Sequence, residues 1–431
     1  MDLAQNPVID HMDLAKRITI YVAVGVIVLA LGGVTGWYLL LRSKTQSISA
    51  TDAARGLTSD VPAFNGTLGS TVVNSQNSIQ GGFSTSSSAT QTASATRLWQ
   101  VDQAPVAGAA FVPSGSAASS TTPTTLYFVE RGNGYVFSAD AQAQKTTRLT
   151  NTLSPKTYEA LFVPGYPTVI LRSLNAQGAL ISTYASFAAS STISSAPIAL
   201  TSQNLPNNIR RIAVDPAGAS IFALSGSAYT GGAVGTTIAV PNLKQKQVFT
   251  SSIGSWEPQF SPQGIILTES PADGIAGYAY VLKSSGALSL LFGPLPGLEV
   301  LPHPSENVFL YSSSANGGLS LYAKVGKSAA ILLPVHTVAE KCVWAPGQSL
   351  VAYCAVPSAI SSSNFLDDWY QGLVHTSDVW WQIDASAGTA QQLAVPPRAL
   401  DVQHPTIDDS GNYIVFENAS NQSLWMLKVV Q

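Results

Sequence analysis

WEPQFSPQGIILTES, residues 256–270, reads as two short apolar-rich strands joined by a Ser-Pro-Gln-Gly turn. Proline and glycine at fixed turn positions, flanked by β-branched and aromatic residues, are the local signals of a hairpin. The same design recurs as IRRIAVDPAGASIFALS (209–225), KCVWAPGQSLVAYC (341–354) and VQHPTIDDSGNYIVFEN (402–418). Weaker copies lie at 106–115, 158–173 and 298–313, which makes seven. Their turns centre on Pro113, Pro164, Pro216, Pro262, Pro304, Pro346 and Asp409, spaced by 51, 52, 46, 42, 42 and 63 residues. A repeat of about 40–50 residues with room for four short strands predicts a β-propeller blade.

The ends of the repeat region support the count. After Val402 only three strands remain, QHPTID, YIVFEN and SLWMLKVV, while an orphan strand RLWQVD (97–102) precedes the first repeat. Pairing the orphan with the last blade completes every sheet and removes an exposed edge. The expected fold is therefore all-β: a seven-bladed propeller over 97–431, closed by its N-terminal strand.

The hairpins resemble the repeats of TolB-like propellers, in which an apolar strand, Ser-Pro-Asp-Gly and a second apolar strand follow one another. Phe260-Ser261-Pro262-Gln263-Gly264 matches most closely, with Gln263 at the Asp position. Val214-Asp215-Pro216-Ala217-Gly218 and Ile407-Asp408-Asp409-Ser410-Gly411 match more loosely. The overall layout also resembles bacterial membrane-anchored propeller proteins of uncharacterised function, chiefly through 341–344, 353–355 and 367–370. The resemblance implies a fold and leaves the activity open, because propellers host unrelated functions.

Upstream of the repeats the chain changes character twice. Ile18 to Leu41 is 24 residues without a charge, long enough as a helix to span a bilayer core of roughly 30 Å. Lys16 and Arg17 precede it, Arg42 and Lys44 follow, and Trp37 and Tyr38 stand near its distal end as interface anchors. A cleaved signal peptide is the rival, but its apolar region would be about 7–15 residues. We therefore expect a retained single-pass helix at 18–41 after a short cytoplasmic segment, 1–17. Gly32 and Gly36 give it a GxxxG spacing that permits helix pairing. Basic residues number two before the helix and three after (Arg42, Lys44, Arg55), so charge does not set the orientation. An N-in anchor with the propeller outside the cytoplasm is the expectation. Residues 42–96 are rich in Ser and Thr and lack period, and they read as a flexible linker. Its 54 residues from Ser43 to Thr96 would span roughly 40 Å as a coil.

Charged residues make up 10% of the chain and the net charge is −3. That balance gives no reason to expect nucleic acid, whose phosphates need clustered Lys and Arg. The chain's two cysteines, Cys342 and Cys354, are symmetric about Gln348, so they face each other across the hairpin. Outside the cytoplasm such a pair should oxidise to a disulfide; two buried thiols beside Trp344 are the alternative. No metal is expected, since no further His or Cys lies close enough to complete a zinc site.

Three groups of residues are candidates for function. The longest blade carries the insertion VPSAISSSNFLDDWYQGLVHT (356–376). In it Asn364 can cap a short helix and Gly372 can end it. Asp367, Asp368, Trp369 and Tyr370, with His375 beyond them, form a candidate partner-binding surface; packing of Phe365, Leu366 and Trp369 onto the propeller is the alternative. The second group comes from aligning the repeats on Glu257. That position becomes Gly108, Glu159, Arg211, Glu299, Lys341 and His404 in the other blades. This polar ring is placed where the innermost strands begin, around the mouth of the central channel; an ordinary solvated lip is the alternative. The third group is the disulfide pair itself.

Catalytic motifs are absent: there is no G-x-S-x-G elbow, and Gly326-Lys327-Ser328 has Leu321 where a phosphate loop needs glycine. No cofactor is expected. The sequence points to a membrane-tethered scaffold that binds a protein or glycan at the cell envelope. An enzyme with its site at the channel mouth and a passive structural protein are the rivals.

Overall fold

The computed structural model describes residues 97–112, 125–187, 197–227, 231–315 and 318–429. The apolar stretch 18–41 and the linker 42–96 lie outside these. Among the described residues, no helix is long and apolar enough to cross a membrane.

Seven four-stranded antiparallel sheets form the propeller. The first six each take four consecutive strands. The seventh takes Val402–Ile407, Tyr413–Asn418 and Leu424–Lys428 from the C-terminal end and Leu98–Asp102 from the N-terminal end. Leu98 pairs with Leu427 and Trp99 with Met426 across that seam. The Arg97 guanidinium reinforces it, donating to the carbonyls of Val429 (2.7 Å) and Leu393 (3.2 Å).

The second strand of each blade is flanked on both faces by neighbouring sheets, so its apolar residues run continuously instead of alternating. Val308–Ala315 in blade five is buried at every position but the last. Blade faces stack around the ring: Leu126 and Phe128 of blade one pack with Val415 and Met426 of blade seven. Trp380 of blade six packs with Phe416 and Trp425 of blade seven.

At three of the turns the side chain before the proline accepts from the backbone of the turn. Ser261 Oγ accepts from the Gln263 amide, Asp215 Oδ1 from Ala217, and His303 Nδ1 from Glu306 at 3.0 Å. Gly218, at φ +70°, also has no room for a side chain, because a Cβ there would sit 2.0 Å from the Pro164 carbonyl oxygen of blade two.

Cys342 and Cys354 are opposed in register and joined as a disulfide, and Trp344 faces Ala352. Both cysteines are buried between blades five and six.

Candidate functional site at the channel mouth

The innermost strand of each blade lines the central channel. In blades one, two, three and seven that strand carries a β-bulge near its start, at Val106/Gly108, Thr157/Glu159, Ile209/Arg211 and Gln403/Thr406. A bulge sets two residues opposite one and turns the extra side chain away from the regular pleat. Here it lies beside Glu159 and Arg211 and within it sits His404, whose backbone takes φ +48°. Gly108 holds the equivalent place in blade one because a Cβ there would lie 2.1 Å from the Ala160 carbonyl oxygen.

Glu159, Arg211, Glu257, Glu299 and His404 all line one cavity of about 730 Å³, together with Glu340, Asp367 and Tyr370. Its charges are largely paired. Arg211 Nε lies 2.7 Å from Glu257 Oε2, whose other oxygen accepts from Ser270 at 3.0 Å. Glu159 is bound by Arg172, a buried guanidinium that also donates to the carbonyls of Ile209 and Arg210. His404 lies 3.5 Å from Glu417 and 3.8 Å from Glu340. Its side chain is 63% exposed, yet it stands among the walls of the cavity. That enclosure opposes its charge. The hydrogen bond and charge of Glu417, aided by Glu340 and Glu159, outweigh this and raise its pKa to about 9.

Tyr370 closes the arrangement from above. Its hydroxyl lies 3.0 Å from Glu299 Oε1 and 2.9 Å from Glu340 Oε2. Both carboxyls share the one hydroxyl, and burial, then the charge of Glu340, push the Glu299 pKa well above the usual carboxylate range. Burial and the same two carboxyls push the Tyr370 phenol up as well.

Tyr370 reaches the channel because the blade-six insertion folds over it. Helix α1 (Phe365–Tyr370) buries Phe365, Leu366 and Trp369 against Leu319 and Val338. Asn364 makes no side-chain cap. Asp273 of blade four does so instead: its Oδ2 accepts from the amides of Leu366 (2.7 Å) and Asp367 (3.2 Å). Asp367 Oδ1 accepts from the Asp273 amide in return, at 3.1 Å. The helix start is thereby tied to a blade two positions round the ring. Gly372, at φ +70°, ends the helix.

Two expected site residues stand elsewhere. Trp369 is 2% exposed and directed inward, its indole N–H donating to Asp401, so it offers nothing to a partner. Lys341 is fully buried and faces away from the channel. A 3-10 turn, Ala339–Lys341, precedes the short inner strand of blade six and shifts the ring position by one residue, to Glu340. Lys341 instead meets Asp378, Asp401 and Thr376. Of the remaining insertion residues, Asp368 accepts from Ser362. His375 is exposed and lies 3.0 Å from Asp401. The insertion's polar groups are thus spent on the fold and the channel, and Tyr370 is its principal contribution to the cavity.

Glu340 and Glu417 were missed by the repeat alignment. Glu417 carried a signal, a carboxylate ending the apolar run YIVF.

No family model matches this chain, and no curated protein matches it in sequence. Solved structures do match. An oligogalacturonate lyase from Vibrio parahaemolyticus superposes with a TM-score of 0.51 at 7% identity, over 77% of this chain and 93% of that one. A second oligogalacturonate lyase, in complex with manganese, gives 0.50 at 9% identity, over 71% and 86%. The WD40 domain of Neurospora crassa Pan2 gives 0.46 at 11%, over 76% and 92%. The likeness is one of fold alone. These neighbours are β-propellers, as this chain is.

Proposed function

We propose that the protein is a non-catalytic binding protein tethered to the cell membrane, and that its channel mouth takes a glycan. The observation that carries this reading is the 730 Å³ cavity, ringed by polar side chains and roofed by Tyr370. Its ionic groups are mostly paired with one another, which leaves a wall rich in hydrogen-bonding groups beside an aromatic ring. That combination suits a polyhydroxylated ligand better than a strongly charged one. The apolar stretch 18–41 would be a single-pass N-in anchor, and 42–96 the linker that lets the propeller stand off the membrane. The Cys342–Cys354 disulfide supports an oxidising compartment for the domain.

Calorimetry of the full chain in detergent micelles, against a panel of neutral, acidic and basic oligosaccharides, tests the reading. One class should bind, and Glu257→Gln should weaken it by about tenfold, equivalent to about 1.4 kcal/mol. Binding by no class, or binding indifferent to Glu257, would sink it. A short basic peptide that binds in their place would point to a protein ligand.

One observation favours a second reading. Glu299 and Glu340 share the Tyr370 hydroxyl and burial raises the Glu299 pKa, a pairing of carboxyls from which general acid–base catalysis can draw. If chromatography shows that the bound oligosaccharide is cleaved, and Glu299→Gln stops cleavage while binding persists, the protein is an enzyme.

A further inference from the structure

Behind the channel wall lies a second cluster of charges that the binding site does not use. Lys341 Nζ is 2.6 Å from Asp378 Oδ2 and 2.6 Å from Asp401 Oδ1, with none of the three side chains more than 1% exposed. The Trp369 ring lies 4.7 Å from the same nitrogen, and Thr376 Oγ1 is 2.8 Å away. A buried ion pair is stable only where its remaining polar atoms are also satisfied. That condition holds for Asp401 and fails for Asp378.

Asp401 accepts from Trp369 Nε1 on both oxygens and from Thr376 on Oδ1, and Oδ2 also faces His375. Burial works against its carboxylate, but Lys341, Thr376 and Trp369 prevail and hold its pKa below the ordinary value. Asp378 Oδ2 accepts from the Val402 amide at 2.8 Å, yet its Oδ1 is buried without any hydrogen-bond partner. Burial pushes the Asp378 pKa up despite the neighbouring lysine. One carboxyl is thus held as an anion, and the other is biased towards the neutral acid.

We infer that Lys341 and Asp378 condense into an intramolecular isopeptide bond, with Asp401 carrying the proton. In the dry pocket the ammonium passes a proton to the Asp378 carboxylate, which gives an amine facing a carboxylic acid. The nitrogen lone pair attacks the Asp378 carboxyl carbon and a C–N bond forms. Asp401 accepts a proton from that nitrogen and returns it to the departing hydroxyl, the Oδ2 oxygen that took up the ammonium's proton. The C–O bond breaks, and one water leaves. No oxidant, reductant or further reactant is needed. Enforced contact of this kind replaces activation by raising the effective concentration of the two groups.

Condensation removes the charges of Lys341 and Asp378 from the buried pocket, and the new amide N–H stays beside Asp401 Oδ1, the acceptor that Lys341 Nζ already meets at 2.6 Å. Asp401 is the poorer electrophile of the two because its oxygens are already engaged as an anion. The bond would fasten the end of the blade-six insertion to the start of the inner strand, 37 residues back in the chain.

Mass spectrometry of the full chain, denatured and with the disulfide reduced, decides the matter. The expected result is a chain one water lighter than its sequence. After digestion a branched peptide should join the segments of Lys341 and Asp378, and trypsin should spare Lys341. Lys341→Arg should restore the full sequence mass. A wild-type chain at full mass overturns the inference, as does a water loss confined to one linear peptide. An Asp401→Asn chain that still shows a cooperative thermal transition should be linked at least about tenfold more slowly. Unchanged linking in that variant would remove Asp401 from the reaction.

Discussion

The charges on this face of the propeller form two clusters that meet at one peptide bond. Glu340 looks into the wet channel beside His404 and Tyr370, whereas Lys341 is turned into the dry seam between blades six and seven. In the channel, most of the charges have an opposite neighbour and the pairs are part-exposed, so no single pair carries much energy. In the seam, Lys341, Asp378 and Asp401 fold into a volume closed to solvent, and removing the lysine strands both carboxyls. The difference shows that a charge's contribution to the fold depends on which side of the backbone it emerges.

The sharpest way to break the comparison is Lys341→Met. It leaves Asp378 and Asp401 buried together and should destabilise the domain by about 3–5 kcal/mol, read from denaturant unfolding. If the cost is below about 1 kcal/mol, the seam is wetter than its exposure indicates. Asp273→Ala comes next. It removes the acceptor for two backbone amides at the start of α1, with an expected loss of about 1–2 kcal/mol and faster hydrogen exchange at Leu366 and Asp367.

Smaller again is the pH effect of His404. A histidine whose pKa rises from 6.5 to about 9 on folding binds its proton more tightly in the folded state. Its stabilisation is fully present below pH 6.5 and is lost as pH climbs through about 9. The raised Glu299 acts in the same direction. Thermal melts of His404→Gln should therefore lose part of the alkaline decline seen in the wild type. Smallest of all, Arg211→Gln breaks a half-exposed pair and should shift stability by less than about 1 kcal/mol, although it reshapes the cavity wall.

How far the sequence could foresee these clusters differs between them. The propeller was legible because every blade repeats the same hairpin around a turn of limited chemistry, and the strand shortage in blade seven pointed to the closure. The Cys342–Cys354 register followed from counting outward from Gln348. The ring was legible where the repeat held its phase, from Glu159 through Glu299 and again at His404. It slipped at blade six because a 3-10 turn before Cys342 changes which side chain faces the axis, and no residue in VAEKCVW announces that turn. The capping of α1 was also hidden, since Asp273 lies 93 residues from Leu366 and belongs to another blade. Trp369 could not be placed by its type alone; a six-residue helix has only two faces, and the packing of Phe365 and Leu366 chose which one is buried.

The seam that closes the ring has a mechanical consequence. Among the described residues Leu98–Asp102 is the first strand, and it is also the outer strand of the last blade. Any pull that reaches the propeller through the chain before Arg97 is therefore delivered to the junction where the first and last strands of the propeller meet. It is not spread over a continuous blade. The Arg97 guanidinium, gripping carbonyls of blades six and seven, sits at the point where that load arrives and acts as a rivet.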